Sequence, residues 1–180
     1  MKVTDIFDLL GKEFPKAEIP YLLIGGFAVN MYHVTRQTND VDILMTEETY
    51  AKARSLLENT GYKEMAKGDL FARFASEKSS LMDLDILFVD SETFKGMAKE
   101  SKETQIRDLE FKVPSLQHLM AMKLHALKNN PNREMPDLMD LVNLIKINKI
   151  DVQENSFQEL CAKYGSKDCY ERIKNLVKNA

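Results

Sequence analysis

The chain has 180 residues and a net charge of −3, and its hydrophobic and charged fractions of 44% and 29% are those of a globular domain with its own core. Two cysteines, Cys161 and Cys169, exclude a disulfide framework and favour free thiols in the cytoplasm. No apolar run approaches the ~20 residues of a membrane span, and Asp5 and Asp8 interrupt the apolar core that a signal peptide would need. We therefore expect a cytoplasmic protein without a membrane partner.

Charge is spread unevenly along the chain. Residues 1–94 have a balance of −6, residues 95–133 of +4 and residues 134–180 of −1. The basic middle segment either faces a polyanion, such as a triphosphate or an RNA backbone, or forms an ordinary solvated face. The sequence leaves these two interpretations open.

The front half of the chain mixes the apolar periods of helices and strands. Helix spacing over 2–14 predicts an amphipathic helix that ends at Pro15. The elements predicted next, in chain order, are a strand over 21–24, a helix over 27–33, a strand over 41–45, a helix over 46–59 that stops at Gly61, and strands over 69–76 and 81–89 joined by a turn over 77–80.

The back half is predominantly helical. A short helix opens at Ser91 and an extended stretch covers 104–113. Helices are predicted over 116–127, 135–147, 152–163 and 167–178. The sequence therefore predicts an α+β core over 1–113 and a helical region over 114–180 that packs on it as a single compact unit.

The first candidate for chemistry is the glycine pair Gly25-Gly26, between a predicted strand and a predicted helix. Glycine lets backbone amides approach a ligand closely, and amides at the start of a helix favour anions. The pair is therefore either a phosphate cradle or a plain turn.

The second candidate is Asp40-Val41-Asp42 at the start of a strand. Residues i and i+2 of a strand point to the same face, so the two carboxylates lie side by side. Such a pair repels unless a cation relieves it, and Mg²⁺ prefers carboxylate and phosphate oxygens. The alternative is a strand with two surface acids.

A third carboxylate comes from the predicted strand over 81–89, where Asp83 and Asp85 share a face. Three carboxylates that converge from two strands complete a two-metal site. We favour Asp85, which directly precedes the apolar run Ile86-Leu87-Phe88, and leave Asp83 as the alternative.

Together these motifs resemble the polymerase-β-type nucleotidyltransferase superfamily, in which a glycine pair, an Asp-x-Asp motif and an aspartate on a later strand follow one another. The segment Arg36-Gln37-Thr38-Asn39-Asp40-Val41-Asp42 is similar to the arginine–threonine–Asp-x-Asp stretch of the CCA-adding branch. Lys123, Arg133 and Asp137 resemble motifs of the small bacterial AbiE-type (AbiEii-like) nucleotidyltransferase toxins. The resemblance implies a nucleotidyltransferase fold, with a mixed twisted sheet and flanking helices.

The resemblance also implies residue roles. The residues implied to bind the nucleotide and its phosphates are Gly25, Gly26, Arg36, Thr38, Lys123 and Asp137. The residues implied to bind the metal and to act in catalysis are Asp40, Asp42 and Asp85, with Asp85 as the base. Many superfamily members carry serine at the position of Gly26, so here the backbone has to replace a hydroxyl contact. Arg36 could instead only offset the aspartate charges, and Asp137 could be an ordinary acid of a first helical turn.

The function that the resemblance implies is Mg²⁺-dependent transfer of a nucleoside monophosphate from a nucleoside triphosphate to a hydroxyl of RNA, such as tRNA, or of a protein. The implied setting is a toxin–antitoxin or phage-defence system, with a cognate antitoxin or toxin as partner. The alternative is a catalytically weak or inactive binding module of the same fold, which would act as an antitoxin or a nucleotide sensor.

Overall fold

The computed structural model describes residues 5–76, 81–129 and 134–179. The chain divides into two compact units, of which the first spans Met1–Ala28 and Gln37–Ser115 and the second Val29–Arg36 and Leu116–Ala180. The predicted turn over 77–80 and the motif residue Arg133 lie outside the described residues, as does the start of the predicted first helix. Within the described ranges, no helix combines the length and the hydropathy needed to cross a membrane.

A mixed five-stranded sheet organises the first unit. Its strands, numbered along the chain, are β1 (Leu22–Ile24), β2 (Asp40–Met45), β3 (Tyr62–Lys67), β4 (Phe71–Ser76) and β5 (Asp83–Phe88). They lie in the order β1-β2-β5-β4-β3. The central pair, β2 and β5, is parallel, and the other neighbours are antiparallel.

Alternation along the two central strands separates an apolar face from an acidic one. The residues whose side chains are fully buried on these strands include Val41, Ile43, Leu84 and Ile86. Asp42 and Asp85 point to the opposite face, because alternate residues of a strand point to opposite sides of the sheet. The apolar side chains contribute to the core of the first unit, and the acids are left half-buried.

Short helices and a hairpin complete the first unit. They are α1 (Ile6–Asp8), a π-helical stretch (Leu9–Glu13), α2 (Phe14–Lys16), α3 (Gly25–Met31), a 3-10 turn (Glu47–Thr49), α4 (Tyr50–Thr60), α5 (Ser91–Lys99) and the antiparallel pair β6 (Lys102–Ile106) and β7 (Leu109–Val113). Helix α3 begins in the first unit and ends in the second.

The second unit is helical apart from its connections. Its helices are α6 (Leu116–Asn129), α7 (Glu134–Ile147), α8 (Asn155–Tyr164) and α9 (Cys169–Asn179). Leu124 and Leu141 are fully buried in it. The side-chain amide of Asn148 donates to the carbonyl of Tyr32 at 3.1 Å and so ties the segment 29–36 to the end of α7.

The mixed sheet with flanking helices and a helical back half confirms the predicted α+β class. Several details differ. Gly25 and Gly26, predicted to lie between a strand and a helix over 27–33, are the first two residues of α3. Pro15 does not end the first helical segment, because it stands in the first turn of α2, where its missing N–H needs no partner. Strand β3 was not predicted, and the extended stretch over 104–113 is a hairpin that turns at Arg107, with φ +56°.

Candidate active site

The parallel pairing of β2 and β5 brings three carboxylates together. Asp42 is directly opposite Asp85, and Asp40 lies two residues before Asp42 on the same face. One carboxylate oxygen of each of the three lies within 4.8 Å of the others, and all three side chains are half-buried. The arrangement is the convergence of acids that the sequence predicts.

Of the two acids on β5, the cluster contains Asp85. Asp83, two residues before Asp85 on β5, is opposite Asp40 and is exposed. Among the described residues, Asp40, Asp42 and Asp85 form a group that could hold a metal ion.

Gly25 lets the start of α3 pass against this cluster. Its φ of +63° is one that residues with a side chain rarely adopt, and an added Cβ would lie 1.8 Å from Oδ2 of Asp42. The position therefore requires glycine both for its backbone conformation and for space. Any larger residue would push the Asp42 carboxylate out of place.

Gly26 is constrained for space alone, by Thr38. A Cβ at Gly26 would lie 2.7 Å from the Cβ and 2.8 Å from Oγ1 of Thr38. The Thr38 hydroxyl donates to Oδ1 of Asp40 at 2.9 Å and so fixes the orientation of that carboxylate. The Thr38 side chain therefore leaves no room for a side chain at position 26.

Arg73 on β4 binds the carboxylate of Asp85 from the strand on the opposite side of β5 from β2. Its Nε and Nη2 donate to Oδ1 and Oδ2 of Asp85, both at 2.7 Å, from the cross-strand position. This two-pronged, charge-assisted pair fixes the plane of the carboxylate. The hydrogen bonds from Arg73 to Asp85 raise the pKa of the guanidinium above its usual value, so Arg73 is a permanent cation beside the acids.

Asn30 holds the main chain of Arg36, and both residues belong to the second unit. Its side-chain amide donates to the carbonyl of Arg36 at 3.0 Å and accepts from the Arg36 N–H at 2.8 Å. The Arg36 guanidinium then donates to Oδ2 of Asp140 at 2.8 Å. Both the main chain and the side chain of Arg36 are thereby held in one place.

Lys123 and Asp137 belong to the same buried network of charges. Lys123 Nζ lies 2.7 Å from Oδ1 of Asp137 and 2.7 Å from Oδ2 of Asp140. The exposed fractions of the three residues are 6%, 2% and 5%. One lysine and one arginine thus face two carboxylates, so the interior of the second unit stays close to neutral here. The predicted contact of Lys123 with a triphosphate stays a prediction.

The carboxylate cluster fits a hard divalent cation. Its donors are all carboxylate oxygens, which Mg²⁺ prefers, and the missing Cβ of Gly25 leaves Asp42 room beside the backbone. A soft metal would call for cysteine or histidine, and neither residue is part of the cluster. Asp40, Asp42 and Asp85 would hold the ions.

Likeness to solved structures defines the class of fold. A lincosamide antibiotic adenylyltransferase bound to lincomycin is 20% identical, with a TM-score of 0.57 over 79% of this chain and 95% of that chain. An antigenic nucleotidyltransferase-like protein from Paracoccidioides brasiliensis is 14% identical, with a TM-score of 0.59 over 96% and 90%. ANT(2″)-Ia with adenylyl-2″-tobramycin is 16% identical, with a TM-score of 0.56 over 96% and 94%. The chain has the nucleotidyltransferase fold, as predicted.

The family follows from the sequence as a whole. The model of a family described as uncharacterised nucleotidyltransferase matches residues 1–178, and the chain belongs to that family. No curated protein matches it. The predicted membership of the nucleotidyltransferase superfamily is therefore confirmed, and so is the prediction of a nucleotidyltransferase enzyme at the level of the family.

Three residues that hold predicted site residues in place were missed in the sequence. Arg73 and Asn30 give no local signal, because their partners lie 12 and 6 residues away and depend on strand pairing and on a loop. Asp140 could have been found, since it lies three residues after Asp137 and shares its helix face.

Proposed function

We propose that this protein transfers a nucleoside monophosphate from a nucleoside triphosphate to a hydroxyl group and that Mg²⁺ is required. The observation that carries the proposal is the convergence of Asp40, Asp42 and Asp85 on the acidic face of β2 and β5. Membership of a nucleotidyltransferase family supports it. When bound, Mg²⁺ would neutralise the triphosphate and lower the pKa of the attacking hydroxyl.

The chain's own residues would position the reaction. Thr38 orients Asp40, Gly25 leaves space beside Asp42, and Arg73 orients Asp85. Asp85 would take the proton of the acceptor hydroxyl. The hydroxyl oxygen then bonds to the α-phosphorus while the bond from that phosphorus to the β-bridging oxygen breaks, and pyrophosphate leaves.

Nucleotide contacts form part of the same proposal. The residues that the family resemblance suggests are Gly25, Gly26, Arg36, Thr38, Lys123 and Asp137. Arg36 is the more accessible of the two cations, with a side chain that is 27% exposed against 7% for Lys123. Lys123 would have to exchange a carboxylate partner for a phosphate to make its contact.

Two kinds of acceptor deserve a test. The sequence resemblance favours a hydroxyl of RNA, such as tRNA, or of a protein. A small molecule is the other class, because two proteins of the same fold are a lincosamide antibiotic adenylyltransferase and a protein in complex with adenylyl-2″-tobramycin. Those acceptors belong to those proteins.

The cellular setting is also proposed. The AbiE-type resemblance around Lys123 and Asp137 favours a toxin–antitoxin or phage-defence system with a cognate partner. The two cysteines are free and buried, which supports a cytoplasmic location.

Transfer of label tests the proposal. The protein is incubated with each α-labelled nucleoside triphosphate, Mg²⁺ and, in separate reactions, total RNA or an alkyl glucoside, and the experiment is repeated with Asp42→Ala and with Asp108→Ala. Asp108 is an exposed acid of the turn between β6 and β7, outside the cluster, so its variant serves as the control. We expect release of labelled product by the wild type and the control, and its loss in Asp42→Ala.

Two outcomes would contradict the proposal. Transfer that survives Asp42→Ala would remove the assigned site. Binding of triphosphate without pyrophosphate release or transfer would favour the binding module instead.

A further inference from the structure

An apolar surface lies on the open face of the sheet next to Asp85. Phe71 on β4 and Leu87 on β5 are direct cross-strand partners, and they are 49% and 37% exposed. The neighbouring pair on the same two strands is Arg73 and Asp85. Because alternate residues share a face about 7 Å apart, the apolar pair lies one step from the third carboxylate.

Further large apolar side chains are exposed on the same hairpin. Leu70, in the turn before β4, is 67% exposed, and Met65, at the bulge of β3, is 62% exposed. Single exposed leucines are common on protein surfaces and need no explanation. The cross-strand pair of Phe71 and Leu87 differs from these, because it is an exposed apolar pair directly beside a carboxylate cluster and so fits a binding surface.

The aromatic ring at the centre of this surface is held in place. A Cβ added at Gly68 would lie 2.8 Å from Cε1 of Phe71, so the ring packs across the bare backbone of the turn. The Gly68 N–H also donates to the Phe71 carbonyl at 2.8 Å. An exposed ring that is ordered in advance loses less entropy when a ligand covers it.

The charges of this face disfavour a polyanionic acceptor. The charged side chains that strand pairing places on it, among the described residues, are the acids Asp40, Asp42, Asp83 and Asp85 and the cations Lys63 and Arg73. Proteins that bind single-stranded nucleic acid follow its backbone with a positively charged groove. Apart from the three carboxylates that would hold Mg²⁺, this face carries one acid and two cations among the described residues, and the guanidinium of Arg73 is bonded to Asp85. The described part of the face therefore offers no positively charged groove for such a backbone.

Within the first unit, which contains Phe71, the basic segment 95–133 does not supply the missing groove. Lys95 and Lys99 belong to α5, and Lys102 and Lys112 belong to the separate two-stranded sheet of β6 and β7. Arg107, in the turn of that hairpin, pairs with Asp5. The described cations of the segment in this unit therefore lie outside the strands that carry Phe71 and Leu87.

We infer that Phe71 and Leu87 form the acceptor-binding surface of the enzyme, and that the acceptor is a small hydroxyl-bearing molecule with an apolar face and no net negative charge. This inference rests on the proposed nucleotidyl transfer. The apolar face of the acceptor packs on Phe71 and Leu87, and its hydroxyl reaches the neighbouring Asp85, which takes the proton.

Alkyl glucosides of increasing chain length test the inference, because they combine hydroxyls with an apolar part that grows in steps. Butyl, hexyl and octyl β-D-glucoside, below micelle-forming concentrations, are offered with labelled triphosphate and Mg²⁺, next to glucose and a 3′-hydroxyl oligoribonucleotide. We expect kcat/KM to rise about fourfold for each two methylenes, as when each methylene is half buried. Phe71→Ser should flatten this dependence, and Gly68→Ala, which displaces the ring without removing it, should weaken it.

Met135→Ala is the matched control, since Met135 is an exposed methionine on α7 outside the proposed site. It should keep the wild-type dependence on chain length. Transfer to the oligoribonucleotide with none to the glucosides, or transfer that ignores chain length, would overturn the inference. Hydrolysis of the triphosphate to the monophosphate and pyrophosphate, in which water is the acceptor, is measured in parallel and should depend on Asp42. If it is present, only the acceptor surface is wrong, and if it is absent, the proposed transfer itself fails.

Discussion

Replacement of Gly25 by alanine should damage both the fold and the metal site. The added methyl group would lie 1.8 Å from Oδ2 and 2.5 Å from Cγ of Asp42, at a φ of +63°. The left-handed backbone costs a residue with a Cβ about 1–2 kcal/mol. Relief of the overlap costs about 1–3 kcal/mol more. The expected loss of unfolding free energy is therefore about 2–5 kcal/mol.

Urea unfolding followed by circular dichroism measures this loss, and Mn²⁺ titration measures the site. The control is Gly96→Ala, because a Cβ at Gly96 in α5 meets nothing within 4 Å. That variant should gain about 0.5–1 kcal/mol, since alanine is favoured over glycine inside a helix. We expect Gly25→Ala to unfold at lower urea and to bind Mn²⁺ more weakly than Gly96→Ala. Equal stability and equal Mn²⁺ affinity would refute the packing argument at Gly25.

The other predictions concern Gly26, Lys123 and Arg73. Gly26→Ala should destabilise the fold by about 1–3 kcal/mol through its overlap with Thr38, and Thr38→Gly in the same chain should restore part of the loss, as a double-mutant cycle would show. Lys123→Met should cost about 3–5 kcal/mol in urea unfolding, because Asp137 and Asp140 lose their shared buried cation. Lys16→Met, in an exposed pair with Glu13, should cost no more than about 1 kcal/mol. Arg73→Ala should change stability by no more than about 1 kcal/mol and should increase the affinity for Mn²⁺ in calorimetry, since a permanent cation no longer competes at Asp85. An unchanged or weaker affinity would contradict the competition.

The carboxylate cluster could be predicted because it depends on a local rule. The alternation of acid and apolar residues places Asp40 and Asp42 on one face of a strand, and the same rule holds for Asp83 and Asp85. The choice between the last two depends on register. The pairing of β2 with β5 places Asp42 opposite Asp85. This register cannot be predicted from the local sequence pattern, because the two strands are far apart along the chain.

Other features depend on contacts between distant parts of the chain. Strand β3 carries exposed polar residues on both faces and a bulge after Glu64, so its period-two pattern is weak. The conformations of Gly25 and Gly26 follow from side chains at positions 42 and 38, which come close only in the folded chain. The ion pairs of Lys123 likewise require α6 and α7 to pack, and a lone lysine on a helix gives no hint of its burial.

The central claim is that Asp40, Asp42 and Asp85 form one metal site for nucleotidyl transfer. The most direct measurement is a crystal structure with Mn²⁺ and a non-hydrolysable nucleoside triphosphate, in which anomalous scattering locates the ions. We predict manganese bonded to oxygens of all three carboxylates and to the phosphates of the nucleotide. Nucleotide bound with no manganese at these carboxylates, or manganese bound only elsewhere, would contradict the account.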